Sequence, residues 1–319
     1  MIDREPILTW LTLQGMPTTS LTDLPGDVSL RRYLRAELDD DSIIVAVYPP
    51  SIRPACRRYL ETTRLLSGVG VRVPRVIAHD CRLGLMAVED AGNETLYDLQ
   101  KLDQATLAVF FRHAIDNLER IQSLPIEKVA PLSPPLDEDL LQNELQMTLD
   151  SFLGPKGIDG TRGFPGALRG CLQELCRLLG TDNPVPCHRD YMVRNLIPVE
   201  PYPELVVIDH QDLRLGPRYY DLASMLNDSL FLGPELEEEI LQRYVGDQAE
   251  NRTQYHRAAA QRTLKAVGTY ETFCQRGFER HRKLIRPTLN RALRHLGRLP
   301  EASGVTTELE RRLRAKGIC

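Results

Sequence analysis

The chain has 319 residues, of which 42% are hydrophobic and 26% charged, and its 40 Lys and Arg stand against 44 Asp and Glu for a net charge of −4. These proportions fit a soluble globular protein long enough for one large domain or two lobes, each with its own core. They exclude a global basic field for nucleic acid, and no apolar run approaches the about 18 residues a membrane helix needs, so neither partner is expected. The seven cysteines form no CxxC pair, which points to a reduced compartment with free, mostly buried thiols. Asp3, Arg4 and Glu5 precede any apolar run, so no signal peptide is expected and the location read from the sequence is cytoplasmic.

In chain order, Ile7, Leu8, Trp10 and Leu11 mark a short amphipathic helix over 2–13, closed near Gly15 and Pro17. The period then shortens. Residues 20–24, 30–38 and 43–48 read as three strands of an antiparallel meander, joined by Pro25-Gly26-Asp27-Val28-Ser29 and by the polar tip Asp39-Asp40-Asp41. A helix over 54–66 stops at Ser67-Gly68, and two further strands fall near 75–78 and 85–88. Five short strands with one inserted helix make a small α+β lobe, assigned to 1–90. From 91 to 319 the chain is mainly helical. Leu107, Phe111, Ala114, Leu118 and Ile121 share one helical face, and three prolines between Pro131 and Pro135 form a linker. An acidic helix covers 137–153, a Gly-rich loop 154–166 and a further helix 168–179. Two short strands interrupt the helices, which resume over 234–245, 255–274, 283–296 and 306–315.

The stretch from Cys187 to Asp221 carries the chemistry. Asp190 follows Val185-Pro186-Cys187 in a turn, Asn195 comes five residues later, and Asp209 ends the apolar strand from Leu205 to Ile208. A hairpin between Leu196-Ile197 and that strand would bring the three side chains to one end. Three oxygen donors suit a hard cation such as Mg2+, which takes few protein ligands and fills its shell with substrate phosphates. A carboxylate left off the metal accepts a hydroxyl proton during phosphoryl transfer. The spacing His188-Arg189-Asp190 to Asn195 is that of a kinase catalytic loop, and Tyr220-Asp221-Leu222-Ala223 opens a helix after it. The plain alternative is that Asp190 and Asp209 cap turns and Asn195 satisfies a loop.

HRDYMVRNL (188–196), VVIDHQD (206–212) and YYDLAS (219–224) resemble the aminoglycoside phosphotransferase-like kinases. Within that group the chain is most similar to the anomeric N-acetylmuramate/N-acetylglucosamine 1-kinases of cell-wall (peptidoglycan) recycling. The residues that carry this are Ser29-Leu30-Arg31-Arg32-Tyr33-Leu34-Arg35, Val73-Pro74, Glu89-Asp90-Ala91-Gly92, Gln261-Arg262 and Leu264-Lys265. The resemblance implies an α+β, two-lobed protein-kinase-like fold with a small antiparallel-sheet N-lobe and a larger, mainly helical C-lobe. It implies ATP as phosphoryl donor, Mg2+ as cofactor, and a small-molecule sugar acceptor phosphorylated on an amino-sugar hydroxyl, above all the anomeric C1 hydroxyl. A monomer is expected.

Carried over residue by residue, Asp190 is the catalytic base, and Asn195 and Asp209 hold Mg2+. His188 and Arg189 brace the loop, Asp221 anchors it, and Asp212 is a metal or substrate contact or a cap, with the cap preferred. Main-chain groups of Val88, Glu89 and Asp90 meet adenine, and amides of Asp27, Val28 and Ser29 cover phosphates. Tyr191, Arg194, Arg262 and Lys265 are the expected sugar contacts, with Tyr191 equally able to pack under the loop.

The chain departs from the kinase pattern in two places. Only Gly26 stands where a Gly-rich loop is expected, and the third strand, Ile43-Ile44-Val45-Ala46-Val47-Tyr48, carries no lysine for the donor phosphates. Arg31 or Arg32 on the neighbouring strand can supply that charge, because a guanidinium forks onto phosphate oxygens; Arg32 is taken as the nucleotide contact. Glu61 loses its expected lysine partner. A nucleotide-binding pseudokinase scaffold is therefore one alternative, and an aminoglycoside, choline or other small-alcohol kinase is another. The acidic run Asp137, Glu138, Asp139, Glu144 and Asp150 would suit a polycation, and the basic run from Arg252 to Arg298 a carboxylate. Either is ordinarily a solvated helix face.

Overall fold

A computed structural model of the chain describes residues 3–24, 30–39, 41–99, 102–158, 163–180, 183–227 and 229–318. It divides into two compact units, one holding Met1–Glu94 with Ile197–Gln211 and the other Thr95–Leu196 with Asp212–Cys319.

The first unit is built on an antiparallel sheet. Helix α1 (Glu5–Leu13) precedes β1 (Ser20–Asp23), β2 (Arg32–Glu37) and β3 (Ser42–Val47), which form the expected meander. After α2 (Pro54–Gly68) come β4 (Val76–Asp80) and β5 (Leu85–Glu89), giving the order β1-β2-β3-β5-β4. Strand alternation decides what each face covers. Leu34, Ala36, Ile43, Val45, Leu85 and Ala87 pack with Ile7, Trp10 and Leu11 of α1. Ala46, Met86 and Val88 pack instead with Cys56 and Tyr59 of α2. Both faces of β3 are thus covered, which is why it reads as a continuous apolar run. α2 opens on Pro54, where a missing N–H costs nothing. Its first turn reaches the end of β4, and a disulfide joins Cys56 to Cys81 there. This departs from the expectation of free thiols throughout, since a contact made across 25 residues of chain is not written in cysteine spacing. Cys171, Cys176, Cys187 and Cys274 are free and buried.

The second unit is helical. Asp103 caps α3 (Gln104–Gln122) by accepting from the Thr106 N–H, and the helix buries the expected face of Leu107, Phe111, Ala114, Leu118 and Ile121. The short α4 (Ile126–Val129) is followed by α5 (Glu138–Thr148), capped by Asp137. The single helix expected over 137–153 changes pitch into a π turn at Leu149–Leu153. α6 (Gly163–Gly180) begins inside the expected glycine-rich loop. β6 (Val185–Cys187) follows, then β7 (Leu196–Pro198), β8 (Leu205–Val207) and β9 (Arg214–Gly216). β7 and β8 form the expected hairpin, which belongs to the first unit from Ile197 onward. β9, too short for a readable alternation, pairs antiparallel with β6. The remaining helices are α7 (Tyr220–Asn227), α8 (Pro234–Tyr244), α9 (Ala249–Gln275), α10 (Arg282–Leu296) and α11 (Ser303–Ala315). α9 is the spine, packed by α5, α7 and α10. No described helix is long and apolar enough to cross a membrane.

Candidate active site

The loop that carries Asp190 leaves β6 and is held from α7. Asp221, buried in the first turn of α7, accepts the main-chain N–H of His188 at 2.6 Å and of Arg189 at 2.9 Å. Burial pushes its carboxyl up to about 7, against the pull of those two bonds. Arg189 has a φ of 78°, a left-handed backbone that a non-glycine residue keeps only where its surroundings impose it. That turn presents Asp190 with a part-exposed carboxylate. Asn195 closes the loop by donating from Nδ2 to the Asp190 carbonyl at 2.8 Å. The Arg189 guanidinium bonds Asp212 and, at 3.1 Å, Glu144. Asp212 also takes Arg214 at 2.7 Å, so it is an ion-paired anchor between loop and β9.

Glu144 is the residue that sequence reasoning missed. It lies on the helix read as an acidic surface, yet it is buried. Its carboxylate gathers Lys265 Nζ at 2.8 Å, Arg189 at 3.1 Å, the Tyr220 hydroxyl at 3.1 Å and Gln261 Nε2 at 3.3 Å. Burial disfavours its charge, but Lys265 and then Arg189 overcome that and hold it at about 2. The available signal was spacing: Leu141, Glu144, Leu145 and Thr148 fall on one buried face.

Arg262 is buried between Ser224, whose Oγ accepts from Nε at 2.7 Å, and Asp190, whose Oδ1 accepts from Nη2 at 3.3 Å. Burial alone would raise the Asp190 carboxyl; Lys265, Arg262 and Arg189 outweigh it, so the group stays ionised and able to accept a proton. Lys265 reaches Tyr220 OH at 3.4 Å besides Glu144. Arg194 lies over the Tyr97 ring at 4.7 Å. Tyr191 is a correction. It is fully buried and its hydroxyl donates to the Ala114 carbonyl at 2.8 Å, so it packs beneath the loop and offers a sugar no polar atom. His188 is buried edge-on to it.

In the first unit, Asp209 follows β8 with a φ of 62°. Arg31 Nη2 and Gln211 Nε2 both donate to its Oδ1, at 2.7 and 2.8 Å. Among the described residues Oδ2 has no hydrogen-bond partner, and the side chain is 37% exposed. His210 is buried against Tyr59 with ring centroids 4.3 Å apart, and its Nδ1 lies 2.8 Å from Thr62 Oγ1. α2 is thus tied down through Thr62, while Glu61 faces outward.

Residues 20–260 match the phosphotransferase enzyme family. The chain belongs to that family. It is 34% identical over 225 residues to the N-acetylmuramate/N-acetylglucosamine kinase of Pseudomonas aeruginosa, across 69% of this chain and 63% of that protein. To the protein of the same name from Pseudomonas putida it is 30% identical over 277 residues, across 82% and 78%. Among solved structures it resembles the gentamicin–APH(2")-IIa complex, with a TM-score of 0.63 at 16% identity over 92% of this chain and 97% of that one. It also resembles the choline kinase LicA from Streptococcus pneumoniae, with a TM-score of 0.59 at 18% identity over 92% and 98%. At these identities the likeness is one of fold, the α+β aminoglycoside phosphotransferase fold expected from the motifs.

Phosphoryl transfer from a nucleotide generally uses a divalent cation on the donor phosphates. In the first unit Asp209 keeps one carboxylate oxygen unbonded among the described residues, and in the second Asn195 spends its amide nitrogen on the loop, which leaves the amide oxygen; each is a hard oxygen donor of the kind Mg2+ takes. The residues expected at the nucleotide are distributed unevenly. Val88 is buried in β5 opposite Ile44. The Glu89 carboxylate bonds Arg72 at 2.7 Å, and its N–H is committed to the Arg75 carbonyl at 2.8 Å. Asp90 accepts from Arg35 at 3.1 Å, from Ser42 Oγ at 2.8 Å and from the Gly92 N–H at 2.9 Å. These side chains shape the end of the strand. Arg32 is exposed, and Arg31 is the arginine turned inward, because period 2 puts Arg31 with Tyr33 on the α2 side of β2. Asp27, Val28 and Ser29 lie outside the described residues.

Proposed function

We propose that this phosphotransferase is an ATP- and Mg2+-dependent kinase acting on an amino-sugar hydroxyl, the anomeric C1 hydroxyl of N-acetylmuramate and N-acetylglucosamine. The observation that carries the reading is the identity to kinases of that name across 69% and 82% of the chain. The loop geometry supports it: an ionised Asp190 beside Arg262 suits a base that orients the attacking hydroxyl and takes its proton. Asn195 and Asp209 would hold Mg2+, which when bound neutralises charge on the donor phosphates. Arg194, Arg262 and Lys265 are the acceptor-side candidates, and main-chain groups of 88–90 and amides of 27–29 the nucleotide contacts. A cytoplasmic monomer completes the reading.

A second reading is a nucleotide-binding pseudokinase, favoured by the absence of a lysine from β3. The test is ADP release with ATP and Mg2+ on N-acetylmuramate, N-acetylglucosamine, glucosamine, kanamycin and choline, beside Asp190→Ala. Turnover is expected on the N-acetyl sugars, with the reducing end lost in the product, and a fall of about 10²- to 10⁴-fold in the variant. Turnover on kanamycin or choline alone would keep the chemistry and replace the acceptor. Nucleotide binding without turnover on any acceptor would favour the pseudokinase.

A further inference from the structure

We propose that Arg31 is the cation that positions the phosphates of the donor nucleotide, in the place that a lysine on β3 would occupy; this rests on the kinase reading above. The β3 residues that face α2 are Ile44 and Ala46, both apolar, so β3 itself offers no charge there. Directly across from Ala46 on β2 is Tyr33. The Arg31 guanidinium lies 5.7 Å from the centre of that ring and beside Tyr48. Only 11% of the Arg31 side chain is exposed, against 37% for its partner Asp209. Arg31 therefore brings a strong, buried, forked donor to the carboxylate that the kinase reading assigns to the metal. A guanidinium so placed can grip phosphate oxygens that share that metal, as a fork rather than as a point charge. A lone structural role, holding Asp209 at its φ of 62°, is the competing account, and it makes different predictions.

The experiment is calorimetric binding of Mg·ATP, Mg·ADP, AMP and adenosine to wild type, Arg31→Ala and Arg31→Lys, with a thermal melt of each. Arg31→Ala is expected to weaken Mg·ATP by about tenfold to a hundredfold and to leave adenosine within about twofold. Arg31→Lys, which restores the charge without the fork, is expected to recover only part of the loss. A second arm uses metal-free ATP in EDTA. There Asp209→Ala raises affinity when Arg31 is intact, by releasing the guanidinium, and has no effect when combined with Arg31→Ala. Mg·ATP affinity unchanged in Arg31→Ala, or an equal loss for adenosine together with a lowered melting point, overturns the proposal. Wild-type turnover with such a result sinks this proposal alone, whereas a wild type that binds no nucleotide sinks the kinase reading with it.

Discussion

Arg189 stands in left-handed backbone at a φ of 78°, and Asp221 secures it by accepting its N–H at 2.9 Å. The same carboxylate takes the His188 N–H, so one buried side chain fixes the direction of the chain immediately before Asp190. Asp221→Ala orphans two amides and is expected to cost about 2–5 kcal/mol in urea unfolding, with Asp221→Asn costing less because one acceptor remains. Either variant, where folded, should lose about 100-fold in kcat, since a small shift of the base suffices for that. Wild-type turnover in Asp221→Ala would show that the loop holds its shape without the anchor.

The buried charges around Glu144 make an asymmetric pair of substitutions informative. Glu144→Ala leaves Lys265 and Arg189 facing each other without their shared anion, and should destabilise by about 3–5 kcal/mol. Lys265→Met should cost less, because Arg189 and the Tyr220 hydroxyl stay on the carboxylate. Equal losses in denaturant melts, or a larger loss for Lys265→Met, would contradict this assignment of the hub.

Gly268 is where α9 meets the end of α5. A Cβ there would stand 2.4 Å from Thr148 Oγ1 and 2.7–2.8 Å from the Thr148 main chain. Gly268→Ala is expected to cost at least about 1–3 kcal/mol through overpacking. Adding Thr148→Ala should not restore the melting point, because two of the three close atoms are backbone and the Thr148 hydroxyl bond to the Leu264 carbonyl is lost as well.

His256 and His295 predict an acid limit to stability. Their Nδ1 atoms are 3.0 Å apart; His295 Nε2 lies 2.9 Å from Asn227 Oδ1, which also accepts from Arg291. Asn227 Nδ2 donates in turn to Tyr255 OH. Burial, then Arg298, Arg294 and Arg252, push His256 down to about 4, and burial followed by His256 itself pushes His295 down too. An unfolded histidine titrates near about 6.5, so between the two values the unfolded chain holds more protons. The contribution is full above pH 6.5 and is lost as the pH falls towards 4. Urea midpoints should drop over that window by the equivalent of a few kcal/mol, and His256→Asn with His295→Asn should flatten the slope. A wild-type midpoint constant from pH 7 to 4.5 would refute it.

The sequence by itself determined whatever is local. Period 2 and period 3.6 placed the meander, α2 and the buried face of α3, because those patterns repeat within a few residues. The Asp190–Asn195 spacing was equally legible, since the bond that closes that loop joins residues five apart. Boundaries and very short strands were less so: α6 starts early and β9 has three residues, too few for alternation. Tertiary structure alone decided which charged and polar groups lie inside. Arg31 rather than Arg32 turns inward and meets Asp209, 178 residues away; Glu144 leaves its acidic run to meet Gln261, 117 residues away; Tyr191 goes under the loop to Ala114, 77 residues away. A period assigns a side chain to a face, but only the packing of distant elements decides whether that face meets water or a partner, and that choice sets the charge, reach and chemistry of the residue.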